Sequence, residues 1–156
     1  NTVVVKPSEL TPFTGLKIGE IFQKAGLPES VVQIISGDGR AGAALVDAGP
    51  NKIMFTGSVA TGKKIAENAA KHLTSVVLEL GGKDPMIVFA DANLELAADA
   101  AVWGAFCNAG QSCSSVERLY VEEPAAEKFT NLIVEKTKKL RLDYGQKETT
   151  DIGAMS

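Results

Sequence analysis

The chain has 156 residues, 45% of them hydrophobic and 22% charged, with a formal net charge of -3. That size fits one ordinary unit with a real core, and the scattered lysines leave no electrostatic footprint for nucleic acid. Two cysteines and a single histidine, His72, are too few for a disulfide scaffold or a cysteine/histidine metal site, and no apolar run approaches the roughly 20 residues that span a bilayer.

Apolar runs alternate with helical patterns from the start. TVVVK (2–6) reads as a strand. Ile18, Ile21, Phe22 and Ala25 then recur at helical spacing, and Gly26 followed by Pro28 predicts the stop. VVQIIS (31–36) is a β-branched run and hence a strand, followed by a short helix through Ala43, Ala44 and Leu45. KIMFT (52–56) is a third strand, and the helix after it carries Ile65, Ala69 and Leu73 on one stripe. SVVLEL (75–80) and PMIVFA (85–90) are two further strands with only GGKD between them, which predicts a boundary near 80–85. A long helical face runs from Leu94 through Ala98, Ala101 and Ala105, capped by Asp91 or Asn93. VERLYVEE (116–123) is a last strand, and Pro124 opens a last helix carrying Phe129, Leu132 and Ile133. This alternation predicts an α/β fold with a parallel sheet covered by helices on both faces.

In such folds ligands sit where strands turn into helices, at their carboxyl ends. Three turns compete. GDGRAG (37–42) spells G-x-G-x-x-G after a strand, but no acidic residue follows about 20 positions on, and a plain turn explains it as well. GSVATGKK (57–64) nearly spells a phosphate-binding P-loop, which keeps a nucleotide hydrolase open as an alternative. Lys64 stands where Ser or Thr must hold magnesium, which weighs against it. What survives is a helix N-terminus with free backbone N–H groups, suited to a pyrophosphate. In LELGGK (78–83), Glu79 follows Val77 and Leu78 near a strand end. A carboxylate there either pairs with a lysine such as Lys83 or is held for chemistry, with burial raising its basicity.

The last stretch is NAGQSCSS (108–115), where Cys113 lies among small polar residues beyond the Ala-rich helix. Cys107, on that helix pattern, is expected in the core, as are Trp103 and Phe106. His72 is expected at the surface.

Four motifs in order, KPSELTP (6–12), FTGSVATG (55–62), LELGGKDP (78–85) and FCNAGQSC (106–113), resemble the aldehyde dehydrogenase superfamily over essentially the whole chain. The resemblance implies a Rossmann-like NAD-binding part over 1–80 and the start of the catalytic domain over 81–156. It implies that Cys113 is the nucleophile that forms a thiohemiacetal and then a thioester with the aldehyde. Glu79 is then the general base for hydrolysis to the acid. Lys6 and Glu9 correspond to the contacts of the adenosine ribose, and Glu9 favours NAD over NADP by repelling a 2′-phosphate. Ser58, between Gly57 and Gly62, corresponds to the pyrophosphate contact; Gly39 and Arg40 fall near the adenine, Leu80 and Gly81 near the nicotinamide.

The family's oxyanion-holding asparagine belongs to a motif that would precede residue 1. The chain therefore reads as an internal segment, with negligible turnover alone and targeting signals that its sequence does not disclose. Relatives are homo-oligomeric, so self-association is expected, and so is a cytoplasmic setting. The implied partner is a small-molecule aldehyde, with no nucleic acid and no membrane. A non-catalytic, fold-retaining assembly module is the other alternative.

Overall fold

The computed structural model describes residues 1–145 and 147–155. They divide into two compact units, Asn1–Leu78 and Glu79–Ser156.

The first unit repeats a strand–helix pattern. It runs β1 (Val3–Val5), α1 (Pro12–Lys24), β2 (Val32–Ile34), α2 (Gly39–Asp47), β3 (Lys52–Thr56), α3 (Val59–Ala70) and β4 (Ser75–Glu79), whose last residue falls across the division. β1 and β2 pair in parallel, Val3 opposite Val32 and Val5 opposite Ile34, and β3 pairs with β4. Parallel neighbours need a crossover, and α1 supplies it while packing on β2. Pro12 at its first position costs no hydrogen bond, and Gly26 at φ 82° follows its end, as the sequence predicts.

The second unit is a β–α–β–α run: β5 (Asp84–Val88), α4 (Leu94–Phe106), β6 (Val116–Val121) and α5 (Glu123–Lys138). β5 and β6 are parallel, with Met86 opposite Leu119 and Val88 opposite Val121, and the register shifts between Asp84 and Pro85. Asn93 caps α4, its Oδ1 accepting from the Leu96 N–H at 3.2 Å. Val88, Ala98, Ala101 and Phe129 form the buried core. The two alanines stand three apart on one helix face and leave room for the Phe129 ring from α5. Burying that ring is worth up to about 3 kcal/mol. At the rim, Lys136 Nζ on α5 reaches Asp99 Oδ1 at 2.7 Å and Glu95 Oε2 at 3.2 Å on α4.

The α/β class and the strand–helix order agree with the sequence. Among the described residues, however, the strands pair two by two, where one parallel sheet is expected. Pro124 is the second residue of its helix, one turn position later than predicted. Trp103 is 72% exposed, against the expected packing. It stands seven residues from the exposed Leu96 on α4, so the two share the outward face while Ala98, Ala101 and Val102 face the core. No helix among the described residues is long and apolar enough to cross a membrane.

Candidate active site

In the first unit the chain joins the KPSE stretch to one of the predicted ligand turns, GDGRAG. Lys6, just past β1, donates from Nζ to the carbonyl of Gly37 at 3.0 Å and lies 3.5 Å from Glu9 Oε2. The KPSE stretch is thereby tied to the loop that opens α2, which brings Lys6 and Glu9 beside the turn that carries Gly39. Asp38 caps α2, accepting from the Arg40 N–H at 2.9 Å and pairing with Arg40 Nε at 3.0 Å. Arg40 is therefore turned back on its own cap.

Ser58 caps α3. Its Oγ accepts from the Thr61 N–H at 3.2 Å and donates to Thr61 Oγ1 at 3.0 Å. Gly57 precedes it, and a Cβ there would lie 2.5 Å from Phe55 Cζ, so the ring would have to shift. Gly62 is buried inside the first turn, donating to the Ser58 carbonyl at 2.9 Å. A twelve-residue helix presents its positive end at this turn.

Glu79, Leu80, Gly81 and Cys113 belong to the second unit, whereas Lys6, Glu9, Gly39, Gly57, Ser58 and Gly62 belong to the first. Glu79 is the last residue of β4 and is exposed, so the burial expected to raise its basicity is not found among the described residues. The chain leaves the strand at Leu80, before a wall can form around the carboxylate. Lys83, one of the partners open to Glu79 on sequence, pairs with Glu117 on β6.

Cys113 lies in a loop that its own backbone holds tightly. Asn108, Ala109 and Gly110 all have positive φ, at 53°, 57° and 75°. Only glycine adopts that region freely, and asparagine tolerates it. Asn108 and Gln111 clasp the turn: Asn108 Nδ2 donates to the Gln111 carbonyl, and Gln111 Nε2 to the Asn108 carbonyl, each at 3.1 Å. A second turn follows at once, with the Ser115 N–H donating to the Ser112 carbonyl at 3.2 Å. Ser115 is buried while Cys113 stays exposed. The nucleophile candidate thus sits at the crest of a turn whose far end is anchored.

Cys107 is also exposed, contrary to the core position expected of it. It is the C-cap of α4 at φ -53° and ψ 132°, where the backbone has already left the helix and its buried face.

Two features hold the turn after Glu79, one against this loop and one against β6, and sequence reasoning missed both. Gly82 faces the Cys113 carbonyl so closely that a Cβ would lie 2.7 Å from its oxygen. Arg118 on β6 donates from Nε to the Lys83 carbonyl at 2.8 Å. The one available signal was the adjacent pair Glu117–Arg118, which breaks the alternation of a half-buried strand. Among the described residues no group of acidic, histidine or cysteine side chains could hold a metal ion.

The whole chain, residues 1–156, matches the family described as "Aldehyde dehydrogenase family". A 4,4'-diapolycopene aldehyde oxidase from Methylomonas sp is 45% identical over 156 residues, which are 100% of this chain and 29% of that protein. The crystal structure of an NAD-dependent aldehyde dehydrogenase from Sinorhizobium meliloti superposes with a TM-score of 0.94 at 40% identity, covering 99% of this chain and 31% of that one. An Escherichia coli NADP-dependent enzyme reaches 0.94 at 36% identity, over 99% of this chain and 32% of its own. The chain spans about three-tenths of the length of these relatives. With one family spanning every residue and four motifs in register, the chain belongs to the aldehyde dehydrogenase family.

Proposed function

We propose that the protein carrying these residues oxidises an aldehyde to the carboxylic acid with NAD, using Cys113 as nucleophile and Glu79 as general base. The observation that carries this reading is the contact between Gly82 and the Cys113 carbonyl. It sets the turn directly after Glu79 against the backbone of the cysteine. The thiolate of Cys113 attacks the aldehyde carbon, forming a carbon–sulfur bond and an oxyanion. On this reading the backbone N–H of Cys113 is one donor to that oxyanion. After oxidation to the thioester, Glu79 takes a proton from water, the hydroxide adds to the acyl carbon, and the sulfur leaves as thiolate.

The dinucleotide, when bound, supplies the acceptor for the hydride. The residues present fit it. The capped N-terminus of α3 with a side-chain-free Gly57 suits a pyrophosphate, Ser58 being its hydroxyl contact. Glu9, held beside Lys6, offers its carboxylate to ribose hydroxyls and repels a 2′-phosphate, which favours NAD over NADP. Gly39 would line the adenine end, and Leu80 and Gly81 the nicotinamide end. On this reading 1–80 contributes to the cofactor domain and 81–156 opens the catalytic domain.

The test is made on the full protein. NADH formation with a panel of aldehydes is expected from the wild type. Cys113→Ser is expected to abolish it, and Glu79→Gln to leave the acyl-enzyme stalled as a thioester visible by mass spectrometry. Turnover that survives Cys113→Ser overturns the assignment. Full inactivity of wild-type protein with every aldehyde, alongside equal alkylation rates of Cys113 and Cys107, favours the non-catalytic module instead.

A further inference from the structure

The turn 81–84 is bound to β6 from two directions, and the catalytic assignment uses neither tie. The Lys83 ammonium pairs with Glu117, whose side chain is 36% exposed. The Lys83 carbonyl accepts from Arg118 Nε at 2.8 Å. The Arg118 guanidinium is itself fixed, with Nη1 3.4 Å from the Tyr120 hydroxyl and its carbon 5.8 Å from the centre of the Tyr120 ring. On the opposite side of the same turn, Gly82 rests on the Cys113 carbonyl. The register shift between Asp84 and Pro85 means that the regular strand ladder does not fix the turn's position here. The side-chain ties do it in place of the ladder.

We infer that Arg118 is a positioning residue: it latches the turn 81–84 onto β6 and so sets the general-base side of the site against the Cys113 loop. The inference rests on the proposed thiol mechanism. Of the two ties the guanidinium is the more important. It holds a backbone atom, which fixes the path of the chain four residues from Glu79, whereas Lys83 and Glu117 join two flexible side chains at the surface. Carbon–sulfur bond formation does not call on Glu79 in the proposed mechanism, so loosening the latch falls on thioester hydrolysis, the step that does.

The experiment compares Arg118→Gln, Arg118→Lys and Lys83→Met with wild type in the full protein. In Arg118→Gln, a burst of NADH near one per site is expected to appear or grow. Steady-state kcat is expected to fall about 10- to 100-fold, part of what a general base contributes. KM falls with it, because the thioester accumulates. Arg118→Lys, which keeps charge but loses the planar donor, is expected to lie with Arg118→Gln and serves where the glutamine variant fails to fold. Lys83→Met is expected within about twofold of wild type, as exposed ion pairs contribute little.

Amide hydrogen exchange over 81–84 is read in parallel and is expected to quicken about tenfold in both Arg118 variants. An unchanged kcat, or a burst that shrinks in step with the steady state, overturns the inference. So does unchanged exchange over 81–84, even if no aldehyde proves to be a substrate. Loss of aldehyde oxidation in the wild type itself, with exchange quickened as expected, removes the mechanism while leaving the latch in place.

Discussion

Gly82 and Cys113 meet backbone to backbone: a Cβ on Gly82 would stand 2.7 Å from the Cys113 carbonyl oxygen and 2.7 Å from Asp84 Oδ1. The Asp84 carboxylate can swing away, but the carbonyl is held by the turn around it. Gly82→Ala is therefore expected to move the cysteine loop or to strain it. A cost of about 1–3 kcal/mol is expected, as for inserting a methyl group into a filled space. Urea denaturation measures the loss, and the alkylation rate of Cys113 reports the displacement. A variant as stable as wild type with unchanged alkylation removes the close contact.

The left-handed turn before Cys113 makes a second prediction. Ala109 holds φ 57° without the benefit of a glycine or an amide side chain. Ala109→Gly relieves that strain but adds unfolded-state freedom, for a net gain of up to about 1 kcal/mol. Ala109→Val is expected to cost about 1–2 kcal/mol, since a β-branched residue resists this region more strongly. Opposite signs for the two variants in chemical denaturation are the expected result, and equal signs would count against the turn.

Much of this architecture was legible because local rules act on neighbouring residues. The strand KIMFT, the stop at Gly26 and the cap at Asn93 all follow from patterns within a few positions. The candidate site was legible through its motifs, which gave Cys113 and Glu79 as candidates before any geometry. The chain did not announce the exposure of Glu79, because burial depends on what covers a strand end and a strand pattern says nothing of that. Cys107 and Trp103 were placed wrongly for a related reason. An Ala-rich helix is apolar nearly all round, so its periodicity does not say which face turns inward. The tie from Arg118 to Lys83 spans 35 residues and joins a side chain to a carbonyl, so the charged pair Glu117–Arg118 marks one end while nothing in residue type marks the other.

Ser58 makes a third prediction, with stability and binding readouts. Ser58→Ala removes the acceptor for the Thr61 N–H and is expected to cost about 1 kcal/mol as a lost N-cap. Ser58→Asp restores a cap but places negative charge where a pyrophosphate is proposed to lie. Stability near wild type together with weakened NAD binding is the expected signature of that variant. If Ser58→Asp binds NAD as well as wild type does, the phosphate site lies elsewhere.

Glu9 tests the cofactor preference separately. Its carboxylate is 55% exposed and 3.5 Å from Lys6 Nζ, so replacing it disturbs little packing. Glu9→Ser is expected to raise the NADP-to-NAD ratio of kcat/KM at least about tenfold, because juxtaposed like charges cost several kcal/mol. Lys6, released from Glu9 but still bonded to the Gly37 carbonyl, then has donors to offer the added phosphate. A ratio that does not move shows that Glu9 does not face the ribose.

The segment after α5 supplies the pH prediction. Arg141 holds Asp151 in a two-pronged pair, Nε to Oδ2 and Nη2 to Oδ1 at 2.8 Å each, and the Arg141 N–H adds a third bond to Oδ2 at 2.9 Å. The guanidinium first, and the backbone N–H after it, hold the Asp151 carboxyl far below the usual carboxylate range, against an opposing push from desolvation. A depressed folded value means that the unfolded chain takes up its proton first as pH falls. The contribution of the pair is therefore complete above about pH 4, the ordinary unfolded value, and is lost only as pH falls on toward the depressed one. A carboxyl carbon titration by NMR should place the Asp151 midpoint well under that of a free aspartate. Asp151→Asn should remove this acid sensitivity and quicken amide exchange at Asp143 and Ile152, whose N–H groups donate across the closure to the Ile152 and Arg141 carbonyls. An Asp151 midpoint near pH 4 would mean that Arg141 does not hold the carboxylate in solution, and the segment would then owe its closure to backbone bonds alone.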